Sequence, residues 1–317
     1  MKVSVGLAVY NAERYLEQCL DSLVRQTCDD LEIIVVDDGS TDASAEICDR
    51  FASSDNRIQV IHKVNGGLAS ARQVALEAAI GDYFCVCDAD DWVEPEMYER
   101  LRDKAVETGA DIVMCDYWRE YDNGRKVQAS YGKEISNDNQ QIACDVLNDR
   151  FPSFIWCKMF KRDLFYRFSL SWDNRVNMQE DYLLTLKVLQ YPVKLAYLPE
   201  LLYHYRRTPG GSGLTSTITL NSYNQMLLIR NWIDEHLSSN MFSGGRIRYQ
   251  VNVAYAGLRI VEGMSSNYYR ETATSRLGLK QLISEHTLKS FLILLTKLFG
   301  YRFGVLVNRM FYRIVYR

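Results

Sequence analysis

The chain has 317 residues, 47% of them apolar and 24% charged, which is the composition of an ordinary globular protein. This balance excludes a disordered or collagen-like chain, and the length suggests about two domains. No apolar run is longer than five residues and no secretory signal pattern opens the chain, so we expect an intracellular protein without a membrane-spanning helix.

The net charge of −3 hides two halves of opposite sign. Residues 1–120 carry 11 Lys and Arg against 25 Asp and Glu, whereas residues 121–317 carry 26 against 15. The acidic half is a poor surface for nucleic acid, because phosphate binding needs clustered basic side chains. We therefore expect no nucleic-acid partner. The eight cysteines lack the paired spacing of zinc sites, so we expect them to be reduced, buried thiols.

Short runs rich in Val and Ile alternate with helical patterns through the first 116 residues. The runs lie at 3–9, 31–36, 57–62, 83–88 and 111–116. Apolar helical stripes lie between them, most clearly at 12–27 and 68–80. This alternation predicts a Rossmann-like, mostly parallel sheet with helices on both faces. In such a fold, a ligand binds beyond the carboxyl ends of the strands.

Polar side chains follow each of the first four predicted strands. They are Tyr10, Asn11 and Glu13; Asp37, Asp38 and Asp42; Asn65, which Gly66 and Gly67 follow; and Asp88, Asp90 and Asp91. Neither a dinucleotide fingerprint nor a P-loop motif occurs, which disfavours a dehydrogenase or an NTPase. We expect Asp37 and Asp38 to accept hydrogen bonds from a base or ribose. Asp42 fits the start of the next helix, with Ser40 or Thr41 as the cap.

Three carboxylates crowd the end of the fourth strand, at Asp88, Asp90 and Asp91. Adjacent carboxylates repel one another unless a cation lies between them, so the cluster favours Mg²⁺ or Mn²⁺. A solvated acidic turn is the alternative. Such an ion often takes further ligands from substrate phosphates, which points to a diphosphate leaving group. A phosphohydrolase is disfavoured, because its nucleophilic D-x-D motif follows an early strand.

The segment from 117 to 207 is aromatic and irregular and contains a helix that opens at Glu180 and Asp181. These two acids either complement the helix dipole or take part in the reaction. Trp156 and Trp172 either stack under a sugar or belong to the core. A Gly-rich segment then follows, interpreted as a lid or as a linker, and the remainder is predicted to be helical.

Five motifs occur in order: VSVGLAVYNAERYLEQCLDSLVRQT, IIVVDDGSTD, NGGLASAR, GDYFCVCDADD and QED. In these motifs the chain resembles family 2 of the inverting nucleotide-sugar glycosyltransferases, which have the GT-A fold. The resemblance implies a catalytic domain at 1–207, with a nucleotide-binding half at 1–116 and an acceptor half at 117–207. It is weak beyond that point, where we expect a flexible lid and a helical extension at 208–317.

The resemblance also implies roles for single residues. A nucleotide-sugar pocket would be lined by Ala8, Tyr10, Asn11, Glu13, Asp38, Gly66, Arg72, Asp88, Ala89, Glu180 and Arg206, the last of these added on charge alone. Asp38 would accept from a uracil-type base and Arg72 would approach the diphosphate, unless Arg72 is a surface residue paired with Glu77. Asp90 would bind the metal directly, with Asp88 beside it. Asp181 would be the catalytic base.

Physical reasoning about the reaction leads to the same assignment. One carboxylate can take the proton of an acceptor hydroxyl as the new C–O bond forms, and the departing diphosphate needs cationic stabilisation. We therefore interpret the chain as a metal-dependent inverting glycosyltransferase that uses a nucleotide-sugar, a UDP-sugar above others. A non-catalytic nucleotide-sugar or saccharide-binding module is the alternative, and it would not need Asp181.

The last 32 residues, 286–317, contain no Asp or Glu, and their basic residues alternate with large apolar ones. On one helix Arg302, Arg309, Arg313 and Arg317 would fall within about 80° of one another beside an apolar face. This pattern favours a membrane surface with anionic lipids, and a homodimer interface is the alternative. With membrane contact, we expect a lipid-linked saccharide acceptor in bacterial surface polysaccharide synthesis, at the cytoplasmic face of the membrane.

Overall fold

The computed structural model describes residues 1–207, 218–260 and 263–315. It has two compact units, one comprising Met1–Ala143 with Phe151–Gly211 and the other comprising Cys144–Arg150 with Ser212–Arg317. The membership of residues 144–150 in the second unit has no counterpart in the sequence patterns. The segment predicted to be a lid, 208–216, lies outside the described residues.

Nine strands of the described residues form one sheet in the first unit. They are β1 (Val3–Val9), β2 (Leu31–Asp37), β3 (Ile58–His62), β4 (Tyr83–Asp88), β5 (Trp92–Val93), β6 (Ile112–Tyr121), β7 (Lys126–Ala129), β8 (Lys158–Lys161) and β9 (Leu195–Arg207). Their order is β3-β2-β1-β4-β8-β6-β9-β5, with β7 paired to β6. The block β3-β2-β1-β4 is parallel throughout, and β8 runs antiparallel to β4 and β6. The predicted α/β class and GT-A arrangement are confirmed.

Seven helices of the described residues begin within the first unit. They are α1 (Glu13–Val24), α2 (Ser44–Ser54), α3 (Leu68–Ala78), α4 (Met97–Thr108), α5 (Asn139–Leu147), α6 (Asp163–Arg167) and α7 (Glu180–Val188). In α3, small residues allow close packing on the sheet: a Cβ added at Gly6 of β1 would lie only 2.9 Å from the Cβ of Ala75. All eight cysteines are free, and all except Cys144 are buried.

The second unit is helical, and its described helices begin after residue 219. They are α8 (Leu220–His236), α9 (Ser243–Arg259), α10 (Ser266–Tyr269), α11 (Leu279–Ser284), α12 (Leu288–Phe299) and α13 (Tyr301–Val315). Gly300, with φ of 92°, separates α12 from α13, so the basic C-terminal segment forms two helices rather than one. None of the described helices has the length and apolarity required to span a membrane.

Candidate functional site

The parallel strands end level with one another at one edge of the sheet, here called the carboxyl edge. Ala8 of β1 lies opposite Asp88 of β4, and Asp37 at the end of β2 lies opposite His62 at the end of β3. Because the strands end together, the loops that follow them lie side by side. This is the edge at which the sequence predicts a ligand site.

Two of these loops cap each other's helices. The N–H of Ala12 donates to Ser44 Oγ at 2.8 Å, and the N–H of Glu13 donates to Asp42 Oδ2 at 3.1 Å. In return, the Glu13 carboxylate accepts from the N–H of Ala43 at 2.9 Å. The free N–H groups at the starts of α1 and α2 are therefore satisfied from the opposite loop.

Ser40 and Thr41 contact Asn11 and do not cap α2, so that part of the prediction is wrong. The N–H of Asn11 donates to Ser40 Oγ at 3.1 Å, and Asn11 Oδ1 accepts from the N–H of Thr41 at 2.8 Å. Asn11 has a φ of 48°, a left-handed conformation that Asn tolerates better than most residues. Asn11 and Glu13 thus set the shape of the loops, and Tyr10 beside them is 53% exposed.

The buried carboxylate of Asp38 anchors the loop between β3 and α3. It accepts the N–H groups of Gly66 at 2.9 Å and Gly67 at 2.8 Å, and it binds Lys63 Nζ at 2.5 Å. Gly67 has a φ of 86°, and a Cβ there would lie 2.5 Å from Asn177 Oδ1. Glycine is therefore required at this position.

Asn177 is a structural link that the sequence analysis does not identify. Its Oδ1 accepts from the N–H of Ala69 at 3.0 Å, in the first turn of α3, across a sequence separation of 108 residues. The one available signal is that Gly67, the N-cap residue of α3, has no side chain with which to cap the helix. Through this bond the segment before α7 is held at the carboxyl edge.

Arg72 is a buried cation that joins two of the predicted motifs. Its guanidinium binds Asp88 at 2.6 Å and also binds Glu180, and 3% of its side chain is exposed. Burial opposes the charge, but the two carboxylates outweigh it and raise the pKa of Arg72. The alternative pairing with Glu77 is wrong, because Gln73 binds Glu77. Contact between Arg72 and a diphosphate stays a prediction.

The crowded carboxylates after β4 divide into two kinds. Asp91 is buried, and it accepts from the Tyr203 hydroxyl at 2.7 Å and from the N–H of Arg206 at 2.7 Å. Asp90 is exposed, yet desolvation by the surrounding protein and the adjacent Asp88 carboxylate raise the pKa of Asp90 to about 6. Asp91 therefore supports the fold, whereas Asp88 and Asp90 are available to a ligand.

Arg206 is fixed beside Asp90 by four contacts. Its Nε donates to the Asp90 carbonyl at 2.8 Å, and its Nη2 donates to Gln18 Oε1 at 2.5 Å. The guanidinium carbon lies 4.6 Å from the ring centre of Tyr15 and 4.7 Å from that of Trp92. Hydrogen bonds and aromatic faces together orient a permanent positive charge next to the D-x-D pair. The sequence indicates Arg206 but not the residues that orient it.

Asp181 lies in the first turn of α7, next to Glu180. One of its oxygens accepts from the N–H of Tyr182 at 2.7 Å. Burial raises the pKa of Asp181, and the charges of Arg72 and Lys158 oppose that rise. Asp181 is thus a carboxylate of raised proton affinity held close to two cations, which suits a general base.

Lys158 on β8 is a second buried cation, and the sequence analysis does not identify it. Its ammonium donates to the carbonyls of Pro152, at 2.9 Å, and Phe154. The same loop is joined to α7, because Thr185 Oγ1 donates to the Ser153 carbonyl at 2.7 Å. Lys158 therefore orders a loop that contacts the helix of Asp181.

The two tryptophans considered as sugar platforms belong to the core. Trp156 is 6% exposed, and its ring stacks on Phe154 at 4.2 Å and on Tyr203 at 4.4 Å between ring centres. Trp172 is 5% exposed and stacks on Phe165 at 5.7 Å. Neither ring has a face free for a sugar.

Aromatic rings that pack around Trp156 are partly exposed, and we call them the aromatic wall. They are Tyr117, Phe154 and Tyr205. Tyr205 lies close to the D-x-D segment, because it directly precedes Arg206, whose backbone N–H donates to Asp91 and whose guanidinium donates to the Asp90 carbonyl. The wall thus lies beside the carboxylates that follow β4.

The predicted site residues fall into two sets at the carboxyl edge. The first is the loop set of Asn11, Glu13, Asp38 and Gly66: Asn11 and Glu13 bind the loop after β2, and Asp38 accepts from the N–H of Gly66. The second is the charged set of Arg72, Asp88, Asp90, Glu180, Asp181 and Arg206, which the tertiary fold collects from four elements. Ala8 is half-buried, whereas the other residues of β1 are buried, and Ala89 is 8% exposed between Asp88 and Asp90.

The donor atoms near Asp90 fit a hard divalent ion. Within residues 1–207, 218–260 and 263–315, no group of three or more His, Cys, Asp or Glu side chains is arranged to hold a metal ion. Asp88 and Asp90 can supply two carboxylates, and their mutual repulsion favours a cation between them. Mg²⁺ and Mn²⁺ commonly bind through one or two carboxylates and take their other ligands from water and phosphate.

A cavity of about 640 Å³ lies at the opposite edge of the sheet. Its lining includes Asp82, Tyr83, Gly109, Arg162 and Tyr166, and none of the predicted site residues. The perturbed carboxylates and oriented arginines lie at the carboxyl edge, so we assign the candidate site there.

Comparison with known proteins identifies the family of the chain. The model of the family described as Glycosyl transferase family 2 matches residues 4–168. The glycosyltransferase EpsJ of Bacillus subtilis (strain 168) is 33% identical over 258 residues, which cover 80% of this chain and 69% of EpsJ. The poly(ribitol-phosphate) beta-glucosyltransferase of Bacillus spizizenii is 30% identical over 65% of this chain and 32% of that protein.

Solved structures show the same fold. The crystal structure of S. aureus TarS 1–349 in complex with UDP-GlcNAc matches with a TM-score of 0.62 and 21% identity. The match covers 90% of this chain and 91% of that one.

Proposed function

The chain belongs to glycosyltransferase family 2, and from this premise we propose that it transfers a sugar, with inversion, from a UDP-sugar to a saccharide acceptor. The observation that carries the proposal is the buried bridge from Asp88 through Arg72 to Glu180, next to Asp181. It brings a pair of carboxylates suited to a metal and a carboxylate suited to a base into one charged set.

In this proposal Asp181 accepts the proton of the acceptor hydroxyl. As that oxygen bonds to the anomeric carbon, the bond from this carbon to the diphosphate breaks, and the nucleoside diphosphate leaves from the opposite face. One base is sufficient and no enzyme-bound sugar is formed. The raised pKa of Asp181 supports the assignment, because a carboxylate of higher proton affinity is a stronger base.

The leaving diphosphate needs positive charge. Asp90, with Asp88, would hold Mg²⁺ or Mn²⁺, which when bound neutralises charge on phosphate oxygens. Arg206 is already oriented next to Asp90, so its guanidinium would add a fixed positive charge without reorganisation. Arg72 already binds the carboxylates of Asp88 and Glu180, and its proposed contribution is to orient them.

The donor proposal is a uridine nucleotide. A carboxylate offers about four acceptor positions, and Asp38 uses three of them on Lys63, Gly66 and Gly67. One position remains for the N–H of a base. The complex of TarS with UDP-GlcNAc supports the choice of uridine over other bases.

The acceptor proposal is a saccharide chain, lipid-linked, in the synthesis of bacterial surface polysaccharide. Partly exposed rings of the aromatic wall suit the apolar face of a pyranose, and Tyr205 of this wall directly precedes Arg206, which contacts Asp90. The poly(ribitol-phosphate) relative is named for a polymer of ribitol and phosphate, which supports a polymeric acceptor with free hydroxyl groups rather than a sugar ring in particular. The proposed place of action is the cytoplasmic face of the membrane.

Calorimetric titration of UDP tests the donor and metal assignments. We expect wild type to bind UDP with Mn²⁺, and we expect EDTA or Asp90→Ala to abolish most of the binding. The matched control is Asp103→Ala, an exposed carboxylate on α4 that should leave binding unchanged. Equal binding with EDTA would overturn the metal assignment, and no binding under any condition would overturn the uridine donor.

A further inference from the structure

The C-terminal helices carry an unusual concentration of exposed apolar side chains. Among the described residues, nine of the seventeen large apolar side chains that are exposed lie within residues 279–310. They are Leu279, Ile283, Leu288, Phe291, Leu298, Phe299, Phe303, Leu306 and Met310. A soluble surface normally scatters such residues singly, so this clustering indicates a contact surface.

The apolar face is continuous along α12. At about 100° per residue, Leu288, Phe291, Leu298 and Phe299 fall on one side of this helix. Ile293 on the opposite side and Leu292 at the border of the exposed face are buried in the core of the second unit. Because α12 already buries one apolar face, its second apolar face has no function in folding this unit.

The same surface continues onto α13. The rings of Phe299 and Phe303 lie 5.2 Å apart across the break at Gly300. On α13, Leu306 and Met310 are 58% and 57% exposed. We call the exposed side of α11, α12 and α13 the apolar platform.

Basic side chains border the platform. Arg302 and Arg309 are exposed on α13, at its edge beside Leu306, and Lys280 is exposed on α11 next to Leu279. No acidic residue occurs after Glu285. Unopposed cations beside a strip of Phe and Leu are complementary to anionic headgroups above hydrocarbon.

We propose that the apolar platform docks on an anionic lipid bilayer, with the side chains of α12 inserted at the headgroup boundary and Arg302 and Arg309 on the phosphates. A second copy of the chain fits less well. A twofold interface through this face would oppose Arg302 and Arg309 to their own copies, with no carboxylate there to pair with them. The proposal is independent of the transfer reaction, because every residue it uses lies in the second unit.

Vesicle sedimentation of the full chain tests the proposal. We expect binding to vesicles of phosphatidylcholine with phosphatidylglycerol, weaker binding to phosphatidylcholine alone, and loss at high salt. Phe291→Ser with Leu298→Ser should weaken partitioning by about tenfold or more, from the apolar area lost. Arg302→Gln with Arg309→Gln should weaken it by about fivefold for each charge removed.

The control is Met241→Ser, an exposed apolar side chain of the same unit that lies outside the platform. It should bind vesicles as wild type does, and thermal unfolding should show that all variants fold. Equal binding by all variants would overturn the proposal. A dimer in light scattering that Phe291→Ser with Leu298→Ser abolishes, without vesicle binding by wild type, would overturn it in favour of a second copy.

Discussion

Asp37 and Asp38 at the end of β2 and Asp90 after β4 have opposite surroundings. Asp38 accepts two backbone N–H groups and a lysine, and hydrogen bonds from Ser40 and His62 outweigh burial and lower the pKa of Asp37. After β4 the charges are crowded, and the pKa of Asp90 is raised to about 6.

The difference separates architecture from chemistry. A carboxylate whose lone pairs accept N–H groups stabilises a loop, and removing it costs stability. A carboxylate with a raised pKa is held in an unfavourable state by the fold, and a proton or a cation relieves it. We therefore expect substitutions after β2 to affect unfolding, and substitutions among Asp88, Asp90 and Asp181 to affect turnover.

The largest effect is expected for Asp181→Asn. Without the base, turnover should fall by about 10³-fold, within the range of general-base catalysis, whereas the free energy of unfolding should stay level or rise. Initial rates with a donor and acceptor that wild type uses provide the measurement. Asp163→Asn, also in the first turn of a helix and exposed, is the matched control. An unchanged rate in Asp181→Asn would favour the binding-module alternative.

Arg72→Met should destabilise the charged set itself. Asp88 and Glu180 would be left unpaired, and the free energy of unfolding in urea should fall by about 3 kcal/mol. Adding Glu180→Gln should recover part of that loss, because one buried charge is removed. Arg100→Met breaks an exposed pair with Glu200 and should lower the free energy of unfolding far less, because solvent screens that pair. Equal losses for both arginines would contradict the bridge.

Asp38→Asn tests the loop side of the comparison. The amide places a donor against the donors of Lys63, Gly66 and Gly67, so unfolding should become easier by about 2 kcal/mol. Asp21→Asn, an exposed carboxylate on α1, should change stability by less than about 0.5 kcal/mol. The free energy of unfolding of both variants is measured by chemical denaturation. Equal losses for Asp38→Asn and Asp21→Asn would contradict the structural role of Asp38.

The smallest effect concerns His62, whose pKa is raised above 6.5 by hydrogen bonds to Asp37 and Asp49. A raised folded-state pKa contributes stability below about pH 6.5, and this is lost as pH rises through the folded-state pKa. His62→Gln should therefore lower the free energy of unfolding more at about pH 6 than at about pH 8.5. The loss should stay below about 1 kcal/mol, because 45% of the His62 side chain is exposed to solvent. Urea titrations at both pH values measure this, and a larger cost at the higher pH would contradict it.

The sequence alone predicts the strands β1 to β4 and the helices between them. These elements depend on apolar periodicity and β-branched runs, which are properties of neighbouring residues. The fold class and the family follow from the same first half of the chain. The short strand β5 carries too few residues for a pattern, and the grouping of residues 144–150 with the second unit has no local signal.

The sequence by itself also determined which residue types occupy the carboxyl edge, because all strands of a parallel sheet have their carboxyl ends at the same edge. Only the tertiary structure decided their partners. Arg72 pairs with Glu180 rather than Glu77, Asn177 caps a helix 108 residues away, and Lys158 orders the loop next to α7. Such contacts depend on how distant segments pack, and short-range periodicity contains no information about that packing.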